Sequence, residues 1–288
     1  MNKICQFPSG ISKQGFLLGL FCCVFLAGCF SSDFQVSYKE EDIPEHIKKI
    51  CREEFNLDVL IIRSGKTLWV YSPQERLLHA EFGKNPEKIF DEGIIDKARN
   101  ILTSISRVLL SSDNAPEYFV LVISDINSGM DYSLTAKFED IKRSASGGLP
   151  WSEANKRYVF GFEQNIKAIG DVTGAHLNIY DIKWPEFLSR QIMQRVRMVL
   201  QEERIKKYLA FKEASAGFQD KEFVFEYTLE RVSEQKGKIN IPDDILNVIT
   251  YCFKTYEFKD FSRVVIKSVS EGQSSIYENK DIWARSIE

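Results

Sequence analysis

The chain repeats one order of elements, a helix pattern followed by two strand patterns, and this repeat most constrains its fold. The first copy begins at Ile43-Pro44, where proline suits an early helical position, and ends in a hairpin around Gly65. The second copy has apolar residues from Ile94 to Val108 at alternating spacings of four and three, which is typical of one helix face. The third copy begins at Ile241-Pro242.

A single helix–strand–strand (αββ) unit cannot bury both its helix and its sheet face, so neighbouring units should share a core. The predicted fold class is therefore α+β, with repeated αββ units, antiparallel hairpins and helices packed on one side of the sheet. A degenerate copy is predicted from a helix at 187–209 and strands at 223–227 and 239–241. Residues 158–162 and 176–180 are interpreted as an additional strand pair.

The N-terminal segment has the order of a secretory signal. Lys3 and Lys13 precede the uncharged run 16–25, which is shorter than the roughly 20 apolar residues that a bilayer requires. The run ends in Leu26-Ala27-Gly28-Cys29, which resembles the lipobox of bacterial lipoproteins. The resemblance implies removal of residues 1–28 and lipid attachment at the Cys29 thiol. The alternative is a cleaved secretory signal that merely ends near a cysteine.

The lipobox resemblance implies a location for the mature chain of 260 residues. Lipid on Cys29 would anchor the domain to the bacterial cell envelope, on the extracytoplasmic side of a membrane. In the sorting pattern of such lipoproteins, aspartate after the cysteine favours the inner membrane. Because Phe30 stands there, the outer membrane is favoured.

The repeat and the signal together divide the chain into predicted segments. The mature length suffices for one large domain or two small ones, each with a hydrophobic core. The segments are 1–28 as signal peptide, 29–41 as tether, 42–85 as the first αββ unit, 86–183 as the second unit with the additional strand pair, 184–240 as the degenerate unit and 241–288 as the last regular unit.

Charge limits the class of partner. Removing the signal takes away Lys3 and Lys13 and changes the formal net charge from -3 to -5. A mildly acidic domain argues against nucleic acid as a partner. The predicted partners are the membrane, through the lipid, and an envelope protein or glycan.

Two cysteines, Cys51 and Cys252, remain after processing in an oxidising compartment. They either form one disulfide that closes a long loop, or each serves as a small buried hydrophobe on its own helix. No local cysteine framework surrounds either residue, which favours the second interpretation. Signal removal and lipidation account for the other four, which are Cys5, Cys22, Cys23 and Cys29.

The sequence predicts no catalytic, cofactor-binding or metal site. His46, His79 and His176 are the only histidines, and none has a second ligand at the spacing of a zinc site. The chain has neither the Gly-x-Ser-x-Gly pattern of serine hydrolases nor a glycine-rich phosphate loop.

The best candidate for a binding loop follows the Gly147-Gly148 pair. Here Trp151 stands close to Lys156 and Arg157, and binding contacts concentrate on loops. The alternative is an indole that closes the edge of the core.

Two functions are open from sequence. The first is a non-catalytic binding or assembly module at the envelope. The second is a periplasmic hydrolase whose scattered carboxylates meet only in the fold. The candidates for such an acid–base set are Asp125, Asp131, Glu139 and Asp140.

The lipobox generates a direct prediction. Labelled palmitate should enter the wild-type chain and should not enter a Cys29→Ala variant, because the thiol is the acceptor. A Cys51→Ala variant is the control and should label like the wild type. Equal labelling of the Cys29→Ala chain would disprove lipid attachment at this residue.

Overall fold

The computed structural model describes residues 38–79, 89–233 and 239–286, and Trp151 by its backbone alone. The predicted signal 1–28, Cys29 and most of the predicted tether lie outside these residues. The helices are α1 Ile43–Phe55, α2 Glu92–Leu110, α3 Phe138–Ala145, α4 Trp151–Arg157, α5 Trp184–Leu200, α6 Glu203–Lys206, α7 Ile241–Thr255 and α8 Asn279–Ala284. The strands are β1 Leu60–Ser64, β2 Thr67–Gln74, β3 Tyr118–Asp125, β4 Met130–Lys137, β5 Val159–Gln164, β6 Leu209–Gln219, β7 Glu222–Arg231, β8 Arg263–Ser268 and β9 Gln273–Glu278.

The strands form two mixed sheets, and the predicted α+β class is confirmed. The first sheet has the order β1-β2-β3-β4-β5 and the second has the order β6-β7-β8-β9. Each hairpin is antiparallel, whereas β2 pairs with β3 in parallel and β7 with β8 in parallel. A parallel pair needs a crossover connection, and α2 and α7 supply it. Each sheet therefore contains two αββ units: the first pair contributes β1 to β4, and the second pair contributes β6 to β9.

Helices α1 and α7 begin in the same way because both place proline in the first turn, at Pro44 and Pro242. At the start of α7 the Asn240 side chain also accepts a hydrogen bond from the Asp243 amide. Helix α1 ends where Asn56 adopts a left-handed conformation with φ of 53°. These local signals fix both helix registers.

The first sheet is covered on both faces, so the expectation of helices on one side alone is wrong for it. Helices α1 and α2 pack on one face. The other face packs against the extended segment 177–182 and the start of α5, where Phe187 is fully buried. Trp69 on β2 donates its indole N–H to the carbonyl of Tyr180 at 2.9 Å. Strand β3 is buried along its whole length, as expected for a strand with two covered faces.

Two predicted strands are absent from their expected places. Residues 176–180 alternate like a strand but lie against the second face of the first sheet, outside its hydrogen-bonded ladder. Residues 239–241 lead into α7, because Asn240 caps that helix. The antiparallel hairpin partner of β7 is β6, whose half-exposed sequence contains small and charged residues in place of an apolar run.

Helix α5 belongs to both cores. Phe187 at its start contacts the first sheet, whereas Leu188, Ile192 and Val196 pack with α7 and the second sheet. Because α5 packs in both cores, it holds the second pair of αββ units against the first pair.

Cys51 and Cys252, the two cysteines among the described residues, are free thiols that lie in different hydrophobic cores. Of the two interpretations that the sequence allowed, the structure has the buried free thiols and no disulfide between Cys51 and Cys252. Burial raises the pKa of both thiols, that of Cys252 to about 12.

This arrangement predicts the thiol chemistry of the mature chain carrying Cys29→Ala. Without reductant, two thiols per chain should react with Ellman's reagent in denaturant, and reaction in buffer should be much slower because both groups are buried with raised pKa. A chain that releases no colour in denaturant until a reductant is added would contain the disulfide instead.

Candidate functional sites

A buried ionic cluster lies between the two pairs of αββ units, and its centre is Arg157 at the end of α4. This arginine is 4% exposed. Its Nη1 lies 2.7 Å from Oδ1 of Asp140 on α3, and its Nε lies 3.0 Å from Oε1 of Glu153 one turn earlier. Burial alone would lower the pKa of Arg157, but the hydrogen bond and charge of Asp140 raise it overall.

Helices α5 and α7 complete this cluster from the other side. Arg195 Nη2 and the Tyr251 hydroxyl each donate to Glu153 Oε1 at 2.7 Å. The Tyr256 hydroxyl donates to Asp140 Oδ2, also at 2.7 Å. Burial alone would raise the pKa of Glu153, but hydrogen bonds from Tyr251 and Arg195 lower it overall. Glu153 is therefore held as an anion that joins three helices.

The segment predicted as a binding loop has a different structure. Residues Trp151–Arg157 form helix α4. Arg157 is buried in its ion pairs, so its guanidinium cannot bind a ligand. Lys156 is exposed and borders a cavity between α5 and α7. The side chain of Trp151 lies outside the described residues.

The four carboxylates of the hydrolase hypothesis lie in two separate groups. Asp125 and Asp131 flank the β3–β4 turn, whereas Glu139 and Asp140 are on α3, beyond the opposite end of β4. An eight-residue strand spans roughly 25 Å, which is too far for a shared acid–base site. Asp125 accepts three backbone amides; burial would raise its pKa, but those hydrogen bonds lower it overall.

Sequence reasoning missed a buried histidine cluster. His176 Nδ1 lies 2.6 Å from Asp171 Oδ2, and its Nε2 lies 3.3 Å from Asp131 Oδ2. Ser124 donates its hydroxyl to the same Asp131, and Asn165 donates its amide to it at 3.1 Å. The His176 side chain is 1% exposed, so the cluster fixes the segment 165–176 on the sheet and is closed to a dissolved substrate.

Strand β5 forms an edge of the first sheet. Asn165 bonds the Gly129 carbonyl, and this register directs the backbone groups of Phe160 and Phe162 away from β4. The side chain of Gln194 on α5 occupies the start of this edge, accepting from the Phe160 amide at 2.7 Å and donating to the Tyr158 carbonyl at 2.6 Å. Further along, the amide and carbonyl of Phe162 face outward.

An apolar groove of about 640 Å³ adjoins this edge. It runs between α2 and the α3–α4 pair, above strands β3 to β5. Its floor is formed by Phe119, Leu121, Tyr132, Leu134 and Phe160. Phe160 is 42% exposed and Phe162, whose ring is near that of Phe90, is 43% exposed. In the sequence, the aromatic residues at every second position, 158, 160 and 162, indicated that one face of this strand is apolar.

Comparison of the chain with models of protein families, with characterised proteins and with solved structures finds no match. Among the described helices, none combines the length and the apolar character needed to cross a bilayer. In residues 38–79, 89–233 and 239–286, no group of three or more His, Cys, Asp or Glu side chains is arranged to hold a metal ion.

The ionic cluster predicts a strong effect on stability. An Arg157→Met substitution should lower the free energy of unfolding by about 3–5 kcal/mol, because it leaves Asp140 as a buried charge without its partner. An Arg157→Met/Asp140→Leu double variant should lose less, since neither charge then remains. Urea denaturation followed by circular dichroism measures both; a double variant that is less stable than the single one would contradict this account.

Proposed function

We propose that this chain is a lipid-anchored envelope lipoprotein whose domain is a non-catalytic binding or assembly module for another envelope protein. Its partner would add an extended peptide to the outer edge of β5 and place alternate apolar side chains in the groove. The observation that carries the proposal is the continuity of this edge with the apolar groove. In this binding mode, main-chain hydrogen bonds give affinity and the groove gives specificity.

The two outer strands of the second sheet differ from β5 in how they are protected. Strand β6 has a bulge between Phe211 and Glu213 and a charged pair of Lys212 with Glu230. Strand β9 is as short as β5 but consists mostly of polar residues. Proteins use bulges and charged side chains to prevent edge pairing. Strand β5 exposes two phenylalanines instead, as a strand that receives a partner would.

The groove favours a peptide over a glycan. Of the five floor residues only Tyr132 has a side-chain hydrogen-bonding group, and the polar side chains of the lining, among them Arg99 and Asn155, stand on the helices at its walls. A glycan would leave hydroxyl groups without partners on this floor, and such burial is unfavourable. An apolar peptide side chain loses no hydrogen bond in the same place.

The proposed anchor would keep this surface near the membrane. The chain from Cys29 to Tyr38 reaches at most about 30 Å when fully extended. The start of the described domain, at Tyr38, would therefore stay within about 30 Å of the membrane that carries such a partner.

A proline substitution tests the edge. Phe162→Pro removes an outward amide that β4 does not use, and proline is tolerated on edge strands, so the fold should persist. Cross-linking in intact cells, followed by purification and mass spectrometry, should recover one partner protein with the wild type and lose it with Phe162→Pro. The cross-linked peptide should map next to β5.

The matched control is Ile276→Pro on β9. The Asn279 amide bonds the Ser262 carbonyl, and this register turns the Ile276 backbone outward in the same way; its side chain is 56% exposed. This variant should retain the partner. Loss of the partner in both variants, recovery of glycan alone, or a cross-link that maps away from β5 would each overturn the proposal.

A further inference from the structure

We propose that the cavity between α5 and α7 is a second binding site, which takes a small amphipathic anion: a carboxylate or phosphate with an apolar body. The cavity measures about 910 Å³, within the range of small-molecule sites. It lies on the side of α4 that carries Lys156, and it is distinct from the groove beside β5. Nothing in the proposed peptide binding requires it.

One lysine that borders the cavity has no ion-pair partner within the ranges that the structure describes, whereas the other charges around it are paired. Asp243 is paired with Arg285 at 2.5 Å, and Glu202 shares Arg204 with Asp244, at 2.8 and 3.0 Å. Lys156 has no ion-pair partner among the described residues. An anionic group entering here would therefore meet an ammonium group that forms no ion pair with a carboxylate of the described part.

Arg195 adds a second donor to the same wall. Its Nη2 is bound to Glu153, whereas its buried Nε has no hydrogen-bond partner in the described part of the chain. A buried guanidinium N–H is costly when it is left unpaired. A ligand oxygen in the cavity would satisfy it.

Thr250 on α7 gives an independent indication of a ligand. It is 1% exposed and lines the cavity, and its hydroxyl lacks a hydrogen-bond partner among the described residues. Helical hydroxyls commonly donate to the carbonyl four residues earlier, as Thr103 and Ser189 do here at 2.8 and 2.7 Å. The Thr250 hydroxyl does not form this bond to the preceding turn, so its donor is unused within the described residues.

The remaining wall is apolar and sets the rest of the ligand's chemistry. Met198, Val199 and Val248 line the cavity together with the ring of Tyr251. Met198 is 49% exposed, so a bound apolar body would cover surface that is now in water. Cationic and hydroxyl donors facing aliphatic side chains fit a ligand with a charged head and an apolar body.

The test uses the mature chain with Cys29→Ala and titrates 8-anilinonaphthalene-1-sulfonate, an amphipathic anion, by fluorescence. Thr250→Val should raise the Kd about tenfold or more, from the loss of one hydrogen bond to a charged group, and should not lower Tm, because that hydroxyl is buried and unpartnered in the free chain. Lys156→Glu should raise the Kd at least about fivefold.

Two control variants separate this cavity from other surfaces. Lys49→Glu makes the same charge change at an exposed position on α1 and should leave the Kd within about twofold, because it is remote from the cavity. Phe160→Ser alters the groove and should also leave the Kd unchanged. If neither cavity substitution changes the Kd of the probe, or if Phe160→Ser alone abolishes its binding, the proposal is overturned.

Displacement of the probe identifies the source of the ligand. Sodium laurate supplies a free amphipathic anion, and phosphatidylglycerol vesicles supply an anionic lipid headgroup; displacement by either supports the site and tells the two sources apart. Inorganic phosphate lacks an apolar body and should not displace the probe. Displacement by phosphate at the same concentration as laurate would refute an amphipathic ligand.

Discussion

The buried guanidinium of Arg157 is the constraint on which the arrangement of the two αββ pairs depends. Arginine keeps its proton in proteins, so its burial requires fixed anionic partners. Asp140 and Glu153 supply them, and Tyr256 and Arg195 from the second pair bind the same two carboxylates. A relative shift of the pairs would expose or unpair a charge. The ion pairs therefore add a directional constraint to the apolar packing of α5 at the same interface.

Helix α5 transmits this constraint to both candidate sites. Gln191 donates to the Arg157 carbonyl at 2.7 Å and to the Tyr256 hydroxyl at 2.8 Å, so the helix is held in register with the cluster. One turn later Gln194 occupies the start of the β5 edge, and Arg195 contributes to the cavity wall. The two sites therefore have a common support, although their chemistry differs.

Local chemistry made much of the fold predictable. The Ile-Pro helix starts and the β-branched hairpins appear in the structure near their expected places, because they depend on neighbouring residues. Strand β6 was missed because its small and charged residues lack an apolar period, and 176–180 was misread because an extended segment on a sheet face shares the alternation of a strand. The ionic cluster joins Glu153 to Tyr251, 98 residues away, and no local pattern encodes such a pairing.

Helix α4, a short segment whose sequence resembled a loop, lies between the two candidate sites. Asn155 lines the groove, Lys156 lines the cavity and Arg157 is buried between them. Successive helical residues point about 100° apart, so three neighbours face three environments. A helix of seven residues has little stability of its own in water. Its geometry is therefore determined by the Arg157 ion pairs, and the positions of Asn155 and Lys156 follow from them.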